Sequence, residues 1–329
     1  MTIFSTIWSD DVAYRSQVEV IDWRQLGNRG LFRALRRLRP RDVVIVNGAI
    51  GFPGKWRDLA SLAAQDAGRR PGVVVADATW EPRSDRAESS APRLWTLNDR
   101  VNRTLLERVA GPRTVACFLS RAEVTWYLAD TGRPSGAAAF TPFFASAEPP
   151  TGHQRRSDPY IFSGGDSLRD WALLREALGG LEIPVRVATR HTRGVWPANF
   201  EVGPVPHDEF VALARGASVG VLCLRHDVRR SVGQQTYLNL LRFGVPVVVN
   251  DAPGVADHLA HLPGACVTPS GDADAIRRTV VGLVDQGRRE GRPALEARAQ
   301  AAVAECFSQP AYLGRLIRIA RSLEIHPAR

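Results

Sequence analysis

Residues 160–178, YIFSGGDSLRDWALLREAL, decide how the chain is read. Residues 160–163 are a short apolar run of strand type. Gly164 and Gly165 turn the chain, and Leu168, Trp171, Leu174 and Leu178 then recur at helical spacing. Asp166 or Ser167 is suited to cap that helix, with Asp170 three residues after Ser167. A strand, a tight glycine turn and a helix N-terminus favour phosphate, because unbonded N–H groups and the helix dipole converge there. Arg169, expected in the first helical turn, adds a fork of donors. A Gly-Gly turn also occurs in α/β proteins without phosphate, so the assignment needs the residues downstream.

Residues 219–224 (VGVLCL) read as a strand, 231–235 as a polar loop, 236–243 as a helix stopped by Gly244, and 245–249 as a buried strand. Residues 251–254 turn into another short helix. Ligands of open parallel sheets sit beyond the carboxyl ends of the strands, and both the Gly164-Gly165 turn and the 231–235 loop lie at such ends. Gly233 permits a close approach or an unusual φ. Gln234, Gln235 and Thr236 supply neutral donors at a helix N-terminus, able to stabilise a departing diphosphate. Residues 184–188 (PVRVA) form a further strand that ends in Thr189 and Arg190, and Pro206 and His207 stand in the turn before the next helix.

This half resembles the C-terminal, nucleotide-sugar-binding domain of GT-B glycosyltransferases, in particular glycosyltransferase family 4. The matching pieces are Gly164-Gly165, Arg169, the segment from Ser231 to Asn239, Gly244-Val245-Pro246-Val247-Val248 and Pro253-Gly254. Two departures stand out. Ser231 and Asn239 occupy the places of the two glutamates that the family spaces eight residues apart, and Asp166 stands where a basic residue is usual. Asn239 retains a carbonyl acceptor but no charge.

The resemblance implies two Rossmann-like α/β domains facing each other across a cleft. Residues 1–148 would bind the acceptor and 158–310 the donor, with a linker at 149–157 and a last helix, 311–329, crossing back. It implies transfer of a sugar, with retention, from a nucleotide diphosphate sugar, UDP-sugars favoured, to a hydroxyl. No metal or other cofactor is obligatory. The donor residues implied are Gly164, Gly165, Arg169, Thr189, Pro206, Ser231, Gly233, Gln234, Gln235, Thr236 and Asn239. A non-catalytic scaffold with a degenerate donor site is the alternative left open by Ser231 and Asn239.

In the N-terminal half, residues 1–8, 18–21, 42–46 (DVVIV), 73–76 and 114–119 read as strands, with 139–144 (AFTPFF) closing the sheet. Residues 47–51 (NGAIG) come directly after a strand end. Residues 82–92 are polar and serine-rich and read as a loop able to act as a lid. Ser120 and Glu123 make a capping box. Many relatives place a histidine near the transferred sugar after a strand like 73–76. This chain offers Asp77, Thr79 and Glu81 instead, and Asp77 is the expected base or orienter of the acceptor hydroxyl. Phe32, Leu35 and Leu38 mark the packed side of a basic helix, whose arginines at 33–41 offer weak contact with an anionic membrane.

The chain has 329 residues, 44% hydrophobic, enough for two cored domains. Its net charge is +9, carried mostly by arginine. No basic element interleaved with aromatics marks a nucleic-acid site. The four cysteines and seven histidines show no metal spacing. No signal peptide or long apolar run appears, so the expected location is cytoplasmic.

Overall fold

The structure, a computed structural model, describes residues 2–48, 57–80, 92–148, 159–290 and 293–323. Several sequence features lie outside these residues: Ala49 to Gly51, Glu81, most of the expected lid and the expected linker. The chain divides into two compact units, one of Met1–Pro142 with Pro310–Arg329, the other of Phe143–Gln309.

The first unit runs β1 (Ile3–Ser5), α1 (Val12–Arg15), β2 (Glu19–Val20), α2 (Trp23–Arg36), β3 (Val43–Asn47), α3 (Arg57–Ala63), β4 (Gly72–Ala76), α4 (Pro92–Val109), β5 (Thr114–Phe118), α5 (Arg121–Thr131) and β6 (Ala138–Phe140). Its six strands are all parallel, in the order β2-β1-β3-β4-β5-β6. The continuous apolar runs at 43–46 and 73–76 are the signature of strands covered on both faces, and their side chains are buried. Ser120 caps α5 by accepting from the Glu123 N–H at 3.1 Å.

The helical side of α2 differs from the sequence reading. Leu31, Leu35 and Leu38 form the buried stripe, at i, i+4 and i+7, and Phe32 is only partly covered. Gly27, at φ 63°, breaks the element after one turn; the stripe after it runs through Leu31 and leaves Phe32 at its edge.

The second unit runs β7 (Ile161–Gly164), α6 (Trp171–Leu178), β8 (Val185–Ala188), β9 (Phe200–Gly203), α7 (His207–Gly216), β10 (Val219–Leu222), α8 (Gln234–Arg242), β11 (Val247–Asn250), α9 (Val255–Leu259), β12 (Ala265–Thr268), α10 (Ala273–Glu290) and α11 (Pro293–Cys306). The strands are again parallel, ordered β12-β11-β10-β7-β8-β9. Tyr237, Leu238, Leu240 and Leu241 of α8 are fully buried, each worth about 1.5–3 kcal/mol, and they fix that helix against the sheet.

The last helix, α12 (Gln309–Ser322), lies within the first unit apart from its opening residue. Tyr312, Leu313, Leu316, Ile317 and Ala320 bury its inner face. Arg315, read from sequence as solvated, is half-buried and donates to the Pro142 carbonyl at 3.1 Å. Arg321 donates to Gln17 Oε1 at 2.9 Å. Among the described residues, no helix is long and apolar enough to cross a membrane.

Candidate functional site

Strand order locates the site in the second unit. The chain goes outward through β7, β8 and β9, then returns to lay β10, β11 and β12 on the other side of β7. The β7/β10 boundary is therefore the point where loops leave the sheet in opposite directions and a crevice opens at the carboxyl ends. The loop after β7 carries Gly164 to Asp170, and the loop after β10 carries Arg225 to Gly233.

Here the structure corrects the sequence reading of Arg169. Helix α6 begins at Trp171, capped by Asp170, whose Oδ1 accepts from the Leu173 N–H at 2.9 Å. Neither Asp166 nor Ser167 is the cap. Residues 168–170 run instead beside the end of β10: Asp170 N–H bonds Cys223 O at 2.8 Å, and Arg225 N–H bonds Leu168 O at 3.1 Å. This pairing pulls Arg169 out of any helical turn and puts Leu168 at φ 50°.

The result is a buried guanidinium. Arg169 Nε donates to Gly164 O at 3.1 Å, Nη1 to Ser167 O at 2.8 Å and Nη2 to Thr236 Oγ1 at 3.3 Å. Burial pushes its pKa down to about 10, so it stays cationic at neutral pH. Among the described residues no carboxylate makes an ion pair with it. The Asp166 charge favours the cation without forming an ion pair, and a buried guanidinium held only by neutral acceptors still attracts an anion.

Gly164 and Gly165 serve this arrangement from below. A Cβ on Gly164 would stand 2.6 Å from Phe210 Cε2, because the α7 ring packs under the turn. A Cβ on Gly165, at φ 98°, would stand 2.6 Å from Arg169 Nη2. The two glycines thus make room for Phe210 and Arg169, a demand that comes from within the fold.

Facing Arg169 is the start of α8. Gly233, at φ 83°, is the cap residue and supplies no side-chain bond. The Thr236 and Tyr237 N–H groups bond Gly233 O at 3.0 and 3.1 Å. The Gln234 and Gln235 N–H groups precede them at the positive end of the helix dipole. Behind this turn, the buried Gln234 amide donates to the buried Ser231 hydroxyl. Ser231 thus braces the loop.

Asp166 anchors the opposite wall. Its Oδ1 accepts from Thr189 Oγ1 at 2.8 Å and Arg190 N–H at 2.9 Å, and its Oδ2 from Arg190 Nε at 2.6 Å. Burial alone would raise its pKa, but the Arg190 N–H, the Thr189 hydroxyl and the Arg190 side chain outweigh it and hold the carboxyl below its ordinary value. Asp166 therefore recruits Arg190, a cation from the end of β8, to the glycine turn. Arg190 is the residue that sequence reasoning noticed but did not assign. Its signal lies in the acid at 166, which finds a basic partner at the end of the neighbouring strand β8.

Other expected donor residues stand differently. Pro206 is the cap residue of α7, with no side-chain bond, and His207 comes next, exposed. Asn239 lies further along α8, and its Oδ1 accepts from the Ala147 N–H at 3.0 Å while Nδ2 approaches Ser146 Oγ at 3.4 Å. Arg225 closes a two-pronged pair with Asp227 at 3.0 and 2.7 Å. Asn250, which the sequence reading passed over, brackets Leu224 with both amide atoms at 2.6 and 2.8 Å and pins the end of β10.

In the first unit, Asp77 stands just past β4 at φ 51°. The turn is pinned on both sides, by Gly48 N–H to Ala76 O at 2.7 Å and Ala78 N–H to Cys117 O at 2.8 Å. Tyr312 of α12 is pushed well above its ordinary pKa, first by burial and then by the Asp77 charge. A second carboxylate was missed entirely. Asp58 of α3 is buried at the β1/β3 boundary, where this sheet reverses its strand order. Its Oδ2 accepts from Thr6 Oγ1 at 2.5 Å. Burial raises its pKa, and the Thr6 hydroxyl, the Asn47 N–H and the Arg57 charge offset this only in part. Among the described residues no cluster of His, Cys, Asp or Glu could hold a metal ion.

No protein-family model matches the chain, and no curated protein matches it by sequence. Solved structures do match in fold. A glycosyltransferase of Rickettsia africae aligns at a TM-score of 0.63 and 10% identity, covering 98% of this chain and 89% of that one. Sucrose-phosphate synthase of Thermosynechococcus elongatus aligns at 0.60 and 12%, covering 90% and 77%. Anabaena HepE, crystallised with UDP and glucose, aligns at 0.59 and 11%, covering 97% and 91%. With its two parallel six-stranded sheets, the chain has the two-domain α/β architecture of GT-B glycosyltransferases.

Proposed function

We propose that this protein is a glycosyltransferase that moves a sugar from a nucleotide diphosphate sugar, UDP-sugars first, to an acceptor hydroxyl with retention. The observation that carries the reading is the buried Arg169 guanidinium, unpaired by any carboxylate among the described residues. It is bonded to Thr236, within one turn of the leading N–H groups of α8, those of Gln234 and Gln235. A pyrophosphate is the ligand that uses a buried cation and a helix N-terminus together.

In this reading Gly164, Gly165 and Gly233 let the diphosphate come close to backbone. Arg169, Gln234, Gln235 and Thr236 stabilise it as it leaves. Thr189 and Pro206 border the nucleoside side, Ser231 holds the loop, and Asn239 offers its second lone pair to the ribose. The acceptor oxygen forms its bond to the anomeric carbon as the bond from that carbon to the β-phosphate oxygen breaks. Asp77 takes or orients the acceptor proton. HepE, with its UDP and glucose, supports the choice of a uridine donor.

The test is calorimetry of UDP, GDP and dTDP on the full chain, followed by the matching sugar nucleotides against pooled acceptors. Micromolar binding of one diphosphate and turnover of its sugar are expected. Binding of none of the three would count for a non-catalytic scaffold, the alternative that Ser231 and Asn239 leave open.

A further inference from the structure

The first unit carries a groove that the glycosyltransferase reading does not use. It is an open groove between α2 and α3 of about 920 Å³, within the size range of small-ligand pockets. Phe32 and Ala60 make an apolar floor. Five arginines, Arg29, Arg33, Arg36, Arg37 and Arg57, stand around it, with no acidic side chain among the described residues of the lining.

This charge pattern opposes helix stability. Arg29, Arg33 and Arg37 succeed each other at i, i+4 along one side of the helix, a spacing that destabilises like charges. No Asp or Glu occurs from Trp23 to Arg41 to relieve them. Among the described residues, Arg29, Arg33 and Arg37 make no ion pair. Two other arginines are held in place by aromatic faces. Arg57 Cζ lies 3.3 Å from the centre of the Trp23 ring and Arg36 Cζ 5.5 Å from that of Phe32. Arg57 Nε is also 3.8 Å from Asp58 Oδ1. Cations fixed around an apolar floor match an anion with an apolar body, and guanidinium forks suit phosphate oxygens.

We propose that this groove binds the phosphate or pyrophosphate ester of an apolar alcohol. The arginines take the phosphate oxygens, and the alcohol's hydrocarbon lies along Phe32 and Ala60. The site belongs wholly to the first unit and stands whether or not the second unit takes a nucleotide.

The test uses the full chain and three probes, geranyl diphosphate, inorganic pyrophosphate and geraniol, measured by calorimetry at low and at moderate salt. Geranyl diphosphate should bind saturably at one site, at least tenfold tighter than pyrophosphate, and weaken as salt rises. Geraniol should not bind. Arg29→Gln with Arg33→Gln should cost at least tenfold. Arg39→Gln with Arg41→Gln, which removes the same charge outside this groove, should stay within about twofold, and Phe32→Ala should erase the preference over pyrophosphate. Melting of these variants no lower than that of the natural chain shows that they fold. UDP at saturation should leave geranyl diphosphate binding intact. The proposal is overturned by no saturable binding, by equal losses in the two double variants, or by displacement with UDP. Binding to anionic phosphatidylglycerol vesicles without binding of monomeric geranyl diphosphate also overturns it, making the face a membrane contact.

Discussion

Arg169 and Thr236, 67 residues apart in sequence, meet at 3.3 Å between Nη2 and Oγ1, and this contact ties the glycine turn after β7 to the first turn of α8. Replacing Arg169 with alanine removes a charged phosphate partner and leaves Gly164 O and Ser167 O without their donor. We expect nucleoside diphosphate affinity to fall by about 1.5–3 kcal/mol. Calorimetry reads the first effect and thermal melting should show a lowered Tm. An unchanged Kd in a folded variant removes Arg169 from the donor site.

The two glycines of the turn should separate in behaviour. Gly164→Ala drives a methyl into Phe210 and should destabilise by about 1–3 kcal/mol through overpacking. Phe162 Cζ would also stand 2.9 Å from that methyl, so adding Phe210→Leu should recover part of the loss and with it part of the diphosphate binding. Gly165→Ala strains φ and displaces the Arg169 guanidinium, so its binding defect should survive the same second change. Denaturant melts and diphosphate titrations on the four variants distinguish the cases. Equal rescue of both would show that Arg169 is not what Gly165 protects.

Asp77 holds a left-handed backbone that only a few residue types adopt readily. Asp77→Asn keeps the shape and removes the charge, so Tm should change by little while kcat falls about 100-fold or more. Asp77→Gly relaxes the backbone and should raise Tm slightly with the same loss of turnover. Full activity in Asp77→Asn would assign the residue to the turn alone.

Asp58 gives a pH test with a definite sign. Its folded pKa is raised above the ordinary 3.8, chiefly by burial. The stability it contributes is therefore complete below the unfolded value and lost as pH rises through the folded one. Asp58→Asn cannot titrate. The stability of the natural chain minus that of Asp58→Asn should fall as pH is raised from below 3.8 to neutrality, measured by denaturant melts at each pH. Asp166, with its depressed pKa, shifts the other way, and Asp166→Asn should reverse the trend.

The sheets were legible because parallel strands covered on both faces are unbroken apolar runs, as at 43–46, 73–76 and 247–249. A loop from 231 was legible from the strand end before it, but the helix read as starting at Thr236 starts at Gln234, capped by Gly233. Arg169 was misplaced because its position is set by pairing with Leu224, a partner 55 residues away that helical periodicity cannot reveal. Asp58 went unseen because its burial depends on Thr6, 52 residues earlier, and a lone acid in a helix start reads as a dipole partner. Phe32 was read as packed because its spacing of three from Leu35 fits a helical face, whereas the buried stripe runs through Leu31 and leaves Phe32 at its edge.

Because α12 is packed into the first unit, that unit is assembled from two separate lengths of polypeptide, whereas Phe143–Gln309 is one uninterrupted length. The second unit can therefore be exchanged as a cassette only by splicing at both borders, Pro142/Phe143 and Gln309/Pro310. A hybrid joined at the first border alone would inherit a foreign closing helix in place of Tyr312, Leu316 and Ile317. A stable chimaera therefore needs Pro310–Arg329 to come from the same parent as Met1–Pro142.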